Sequence, residues 1–251
     1  MLQLSIHLAV FVLLLLILID ITFVIFRLGI SGLQKGYMLL VHDIGYRKST
    51  PSIDKFETDR RILVVGDSSA VGPGAVPDET LVGRLANEFN LNVTNLSANG
   101  SKTRDIIYQI NSVAGQKFSS VIIHAGNMDI RWFTNLKELR KNITTLLDSA
   151  KKISNNIIIF RGGNMGSFPI FPLSIGYFLT IRSRRVRKIF KEIAEKKSVI
   201  YLEMFMERKD DIFLKNPHMY YYWDMIHLNG VGFKVWFDYF VAEIKRLNIK
   251  L

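Results

Sequence analysis

The hydrophobic pattern of the chain falls into two regimes. From Leu8 to Phe26 it is an almost unbroken apolar run, interrupted only by Asp20 and Thr22. From about residue 58, short apolar runs alternate with longer stretches whose apolar residues recur at helical spacing. The runs Ile62–Val65, Leu91–Leu96, Ser120–His124, Asn156–Phe160 and Val199–Leu202 have strand length. Between and after them, Asp78–Phe89, Thr103–Val113, Leu136–Ile153, Arg182–Lys196 and Asn229–Leu247 read as helices. Such alternation predicts an α/β domain with a central parallel sheet and helices on both faces. The strands are nearly continuous in apolar residues, as expected when both faces are covered.

The first run predicts a different element. As a helix, Leu8–Phe26 reaches about 28 Å, close to the thickness of a bilayer core. A cleaved signal peptide would need Lys or Arg before the run and small residues after it. Residues 1–7 contain neither Lys nor Arg, and Gly29-Ile30-Ser31 is a poor cleavage site. A buried core helix would be shorter or more amphipathic. The reading is therefore an uncleaved single-pass anchor, with Asp20 near enough to its end to reach the interface. Arg27, Lys35, Arg47 and Lys48 follow the span, which favours a cytoplasmic domain. The rule is a statistical bias, so the side stays open. This divides the chain into an anchor (1–27), a juxtamembrane connector (28–57) and one α/β domain (58–251). Ser49-Thr50-Pro51-Ser52 is the break before the domain.

One stretch departs from the alternation. Met165–Thr180 is rich in Phe, Pro, Leu, Ile and Tyr, and Pro169 and Pro172 predict an irregular loop. A basic helix start, Arg182-Ser183-Arg184-Arg185-Val186-Arg187-Lys188, follows it. The pair suits a membrane surface or an acyl-chain pocket wall, and equally a packed loop beside a solvated helix.

Composition sharpens only part of this picture. Of 251 residues, 49% are hydrophobic, and the excess lies in the N-terminal run. The formal net charge is +11. A solvated basic surface is the plain reading. For an anchored chain, anionic lipid headgroups are the simplest partner, ahead of nucleic acid. The absence of cysteine excludes disulfides, thiol catalysis and Cys-ligated zinc.

Candidate chemistry sits where the strands should end. Ligands of open parallel sheets bind beyond the carboxyl ends of the strands. Ser68 follows the first strand at Gly66-Asp67-Ser68, a signal that is also ordinary turn chemistry. A serine needs a base to become a nucleophile. Asp224 and His227, spaced i to i+3, can lie on one side of a turn. The carboxylate then holds one imidazole nitrogen and leaves the other for the serine. Four rival histidines fit less well. His7 borders the apolar run, His42 is in the connector, and His124 ends a covered strand and reads as a packed residue. His218 lacks a comparably placed carboxylate. Asn127 and Gly100 also follow strand-like runs, so an amide and a backbone N–H can meet an oxyanion at the same rim.

Four ordered blocks carry a family resemblance. They are Val65-Gly66-Asp67-Ser68-Ser69-Ala70-Val71-Gly72, Asn95-Leu96-Ser97-Ala98-Asn99-Gly100-Ser101-Lys102-Thr103, His124-Ala125-Gly126-Asn127-Met128-Asp129 and Asp224-Met225-Ile226-His227. Over about residues 60–245 the chain resembles the SGNH hydrolases, the GDSL esterase/lipase superfamily. The resemblance implies a three-layer α/β/α, flavodoxin-like sandwich. It implies Ser68 as nucleophile and oxyanion donor, Gly100 and Asn127 as further donors, and His227 oriented by Asp224 as base. It implies no metal or organic cofactor. Ala125 and Met128 depart from the family's Gly-x-Asn-Asp block, with Asp129 one residue late. Met225 and Leu228 replace the Gly and Pro frequent in the last block. The reading is a membrane-anchored serine ester hydrolase acting on an acyl-ester or lipid-like substrate. Its alternatives are a deacetylase or acyltransferase acting on a cell-envelope glycan, and a catalytically impaired binding member of the same fold.

Overall fold

The computed structural model describes residues 2–29 and 52–251, so most of the expected connector lies outside the described residues. The apolar run forms α1 (Leu2–Leu28), of which Ile6–Phe26 is long and apolar enough to cross a membrane. The rest of the chain alternates strand and helix. In order come β1 (Arg61–Gly66), α2 (Ser68–Val71), α3 (Leu81–Phe89), β2 (Asn92–Asn95) and α4 (Thr103–Asn111). Then come β3 (Ser120–His124), α5 (Asn127–Arg131), α6 (Leu136–Lys151), β4 (Ile157–Arg161) and α7 (Leu173–Lys196). The last are β5 (Ile200–Glu203), α8 (Ile212–Lys215), α9 (Pro217–Tyr220) and α10 (Gly230–Arg246).

All four strand pairings are parallel, in the order β2-β1-β3-β4-β5. Successive side chains leave opposite faces of a strand, and both faces are buried here. Leu63, Val65, Val121, Ile123, Ile157 and Ile159 pack beneath α4, α6 and α7. Ile62, Val64, Ile122, Ile158 and Phe160 pack on the other side, against α3 and α10. The result is the expected three-layer sandwich. The chain leaves β1 towards β2 on one side and returns to β3 on the other. The crevice beyond β1 and β3 is therefore the topological switch point, the place where such sheets bind ligands.

Every strand end lies within one residue of the sequence reading. Two helix starts differ more. Pro77–Glu79 is a 3-10 turn, and α3 begins only at Leu81, where the Thr80 hydroxyl accepts from the Gly83 N–H. The largest difference is α7, which begins at Leu173 rather than Arg182. Half of the expected loop is thus helix. Pro172 stands at the N-cap, where its missing N–H removes no intrahelical bond. Residues near the end of the expected connector touch the domain: Ile53 forms an antiparallel bridge with Val93, and Ile53 and Phe56 pack on the core beneath α3 and α10.

Candidate active site

The sequence of β1 determines how the serine is presented. At the strand end Gly66 pairs in register with His124, and a Cβ on it would sit 2.6 Å from the His124 carbonyl oxygen. Only glycine fits that approach. Asp67 then caps α2: its Oδ1 accepts from the Ser69 N–H at 2.9 Å. Ser68 is thereby the first residue of a helix, where backbone N–H groups have no intrahelical partner.

Asp67 is itself held from β3. His124 Nδ1 lies 3.0 Å from Asp67 Oδ1, and the Gly162 N–H donates to His124 Nε2 at 3.3 Å. Because Nε2 accepts, Nδ1 carries the proton and donates to the carboxylate. The ring stacks on Trp236 at 5.5 Å. Both nitrogens of His124 are thus engaged, and it is a packed histidine, as its place on a covered strand predicts. His218 is exposed on α9. His42 lies outside the described residues.

Asp224 and His227 meet as the i, i+3 spacing predicts. Asp224 Oδ2 is 2.6 Å from His227 Nδ1, while Oδ1 accepts from the N–H groups of Ile226 and His227, both at 2.9 Å. Burial pushes the Asp224 carboxyl up, but hydrogen bonds and attraction from His227, with the two backbone donors, outweigh it. The net pKa lies below the usual carboxylate value. The Asp224 side chain is 1% exposed and that of His227 15%. A buried anion thus stands behind an imidazole that reaches the cleft.

Ser68, Ser69, Asn127 and His227 line one narrow cleft, walled by Met128, Met165, Phe168 and Phe171 and edged by Arg131. Asn127 opens α5 after Gly126, whose φ of +105° turns the chain back from β3. Its amide lies 3.5 Å from Ser69 Oγ. Gly100 is exposed and does not line this cleft. Its loop is nevertheless tied to the strand of the serine: the Ala98 N–H donates to the Gly66 carbonyl at 3.1 Å. Gln109 of α4 clamps the same junction. Its amide oxygen accepts from the Gly66 N–H, and its amide nitrogen donates to the Gly66 carbonyl and Ser101 Oγ.

Sequence reasoning missed Gln109, the Asp67–His124 pair and the partner of Asp129. Asp129 Oδ2 accepts from the Thr103 N–H at 2.9 Å and its hydroxyl at 2.6 Å, joining the second and third blocks. The displaced aspartate thus has a structural partner.

The replaced glycine also has a physical meaning. Met225 has φ +58°, the left-handed region, which costs a residue with a Cβ about 1–2 kcal/mol. Its side chain is buried among the residues beneath α10, and that burial offsets the strain. Met225→Ala keeps the strain and loses the packing, whereas Met225→Gly loses packing but relieves the strain. Both variants are expected to be less stable than the parent, with the glycine variant above the alanine variant by about 1 kcal/mol. Denaturant midpoints measure this, and the usual order, alanine above glycine, would refute the strain argument.

With this geometry in view, three comparisons bear on the chain. The sequence profile described as GDSL-like Lipase/Acylhydrolase matches residues 62–240. A lipolytic protein of the G-D-S-L family from Veillonella parvula is 18% identical, with TM-score 0.60 over 74% of this chain and 99% of its own. The psychrotrophic esterase EstA from Pseudoalteromonas sp. is 21% identical, with TM-score 0.57 over 75% and 98%. An acetyl xylan esterase, AlAXEase, is 14% identical, with TM-score 0.58 over 73% and 99%. At these identities the likeness to solved structures concerns the fold. Comparison with curated proteins found no match.

Proposed function

This chain belongs to the GDSL-like lipase/acylhydrolase family and is a carboxylic ester hydrolase, and we propose that Ser68, His227 and Asp224 are its catalytic triad. The observation that carries the reading is the Asp224–His227 contact of 2.6 Å, with His227 and Ser68 lining one cleft at the switch point of the sheet. Ser68 Oγ attacks the acyl carbon while its proton passes to His227. The carbonyl electron pair moves onto oxygen, which the N–H groups of Ser68 and Gly100 and the Asn127 amide stabilise. His227 then protonates the alcohol oxygen as the ester C–O bond breaks. Water attacks the acyl-serine, gives its proton to His227, and the acid leaves as Ser68 recovers its proton. Gly100 enters on the family resemblance and on the attachment of its loop to Gly66. We further propose that α1 anchors the enzyme in a membrane.

A second reading concerns the acyl group. The open room in the cleft is about 20 Å³, and an adjoining aromatic cavity at Phe213, Tyr221 and Trp236 has about the same. A single water needs about 10–15 Å³ on this measure. An acetyl group suits such a space, while a long chain would have to extend out of the cleft or shift Phe168 or Phe171. The size favours short acyl esters, as on a cell-envelope glycan, over long-chain lipids.

Two measurements on detergent-solubilised full-length protein test these readings. A fluorophosphonate probe is expected to label Ser68, mapped by mass spectrometry; folded protein that takes no label supports the impaired binding member instead. In an ester series, turnover is expected to fall roughly tenfold or more from acetyl to octanoyl. Faster turnover of octanoyl would reject the short-acyl reading.

A further inference from the structure

α1 does not hang from the domain as a loose tether; around Asp20 and Val24 it is packed on it. Asp20, Phe23 and Val24 lie on one helical face, and among the described side chains of α1 they are the ones that lose exposure. Asp20 Oδ1 accepts from the Ser174 N–H at 3.0 Å, and Oδ2 accepts from the Ser174 hydroxyl. Ser174 lies in the first turn of α7, whose N–H groups have no intrahelical partner. Pro172, at the N-cap, makes no side-chain cap bond. Asp20 therefore caps α7 from another helix, with its charge at the positive end of the helix dipole. A carboxylate is costly inside an apolar span, and this contact gives it a partner.

Beside this junction lies a contiguous apolar patch. Leu173, Tyr177 and Phe178 of α7 are exposed, as are Trp132 and Phe133 just after α5, with Tyr177 at 62% and Trp132 at 58%. The rings of Phe133 and Phe178 meet at 5.5 Å. Two arginines border the patch: Arg131 lies over Trp132 at 5.2 Å, and Arg182 over Phe133 at 5.8 Å. Arg131 also edges the catalytic cleft. The Phe133–Phe178 and Arg131–Trp132 contacts thus link α7, which α1 touches, to the edge of the cleft.

We propose that this patch rests in the headgroup layer of the bilayer that α1 crosses, so that the cleft opens at the membrane surface. The proposal rests on the anchor reading given above. Aromatic rings settle at the lipid–water interface. Arg182 donates to the Thr134 carbonyl and so braces the loop that carries Trp132 and Phe133, while basic residues beside an apolar surface favour anionic headgroups. The Asp20 cap and the buried Val24 hold the anchor against the start of α7, which keeps the patch beside the span. The substrates this arrangement favours are acyl esters carried by molecules resident at the membrane.

Tryptophan quenching tests the proposal on the full chain, in vesicles of phosphatidylcholine and phosphatidylglycerol in equal parts with brominated acyl chains. The chain has three tryptophans, and Trp236 is buried. The expected result is a quenched emission component that disappears in Trp132→Phe. In Asp20→Leu the protein still floats with the vesicles but this component weakens. Ser68→Ala protein should be quenched like the parent, which separates the contact from catalysis. Floating protein whose quenching is the same with and without Trp132 overturns the proposal. So does Trp132 shielded from bromine in cross-linked dimers, which would make the patch an interface between copies. Protein that does not float overturns the anchor and this proposal together.

Discussion

Purified Ser68→Ala protein is expected to lose turnover of a short-chain nitrophenyl ester by about six orders of magnitude, the loss typical when a triad nucleophile is removed. The reason is that His227 then has no hydroxyl to deprotonate, and no acyl-serine can form. Ser69 is the informative control. It lines the same cleft, and its Oγ lies 3.5 Å from the Asn127 amide. Its backbone N–H, however, is taken by the Asp67 cap, so it has no N–H to offer an oxyanion. Ser69→Ala is expected to keep the fluorophosphonate label and Ser68→Ala to lose it, with both proteins retaining the parent's melting temperature. Full activity in folded Ser68→Ala protein would end the triad assignment, and a label lost only in Ser69→Ala would move the nucleophile by one residue.

What the sequence disclosed follows from how locally each feature is determined. The strands were legible because burial on both faces makes them continuous apolar runs, with Ile157–Ile159 the extreme case. The Asp224–His227 pair was legible because i, i+3 proximity is a property of one turn. The start of α7 was not. Leu173–Phe178 has Ser174 as its one polar side chain and follows two prolines, and the group that caps it, Asp20, lies 154 residues from Ser174. The Asp67–His124 pair was hidden for a related reason. It depends on the β1–β3 register that sets Gly66 opposite His124, and register is a tertiary property. The left-handed backbone at Met225 was hidden by its side chain, since a methionine gives no sign of a glycine conformation.

The second large effect separates the aspartate's chemistry from its structural part. Asp224→Asn can keep its Oδ1 bonds to the Ile226 and His227 N–H groups, so the turn is expected to stay folded. The change falls on the other atom. An amide nitrogen there is a donor, and it must face a His227 Nδ1 that accepts. The imidazole proton then sits on Nε2, and the ring can no longer take the proton of Ser68. The expected loss in kcat is about 10⁴-fold, with little change in KM. A stability measurement gives an independent readout. The folded pKa of Asp224 is depressed, so its ionised form contributes stability above the unfolded carboxylate value of about 3.9. That contribution is lost as pH falls through the lower folded value. The parent is therefore expected to exceed the asparagine variant in stability near neutral pH, and the gap should close below about pH 4. Asparagine protein that keeps more than about a tenth of the parent kcat would show that His227 does not depend on Asp224 for its tautomer. A stability gap that persists unchanged well below about pH 4 would show that the carboxylate's charge is not what holds the turn.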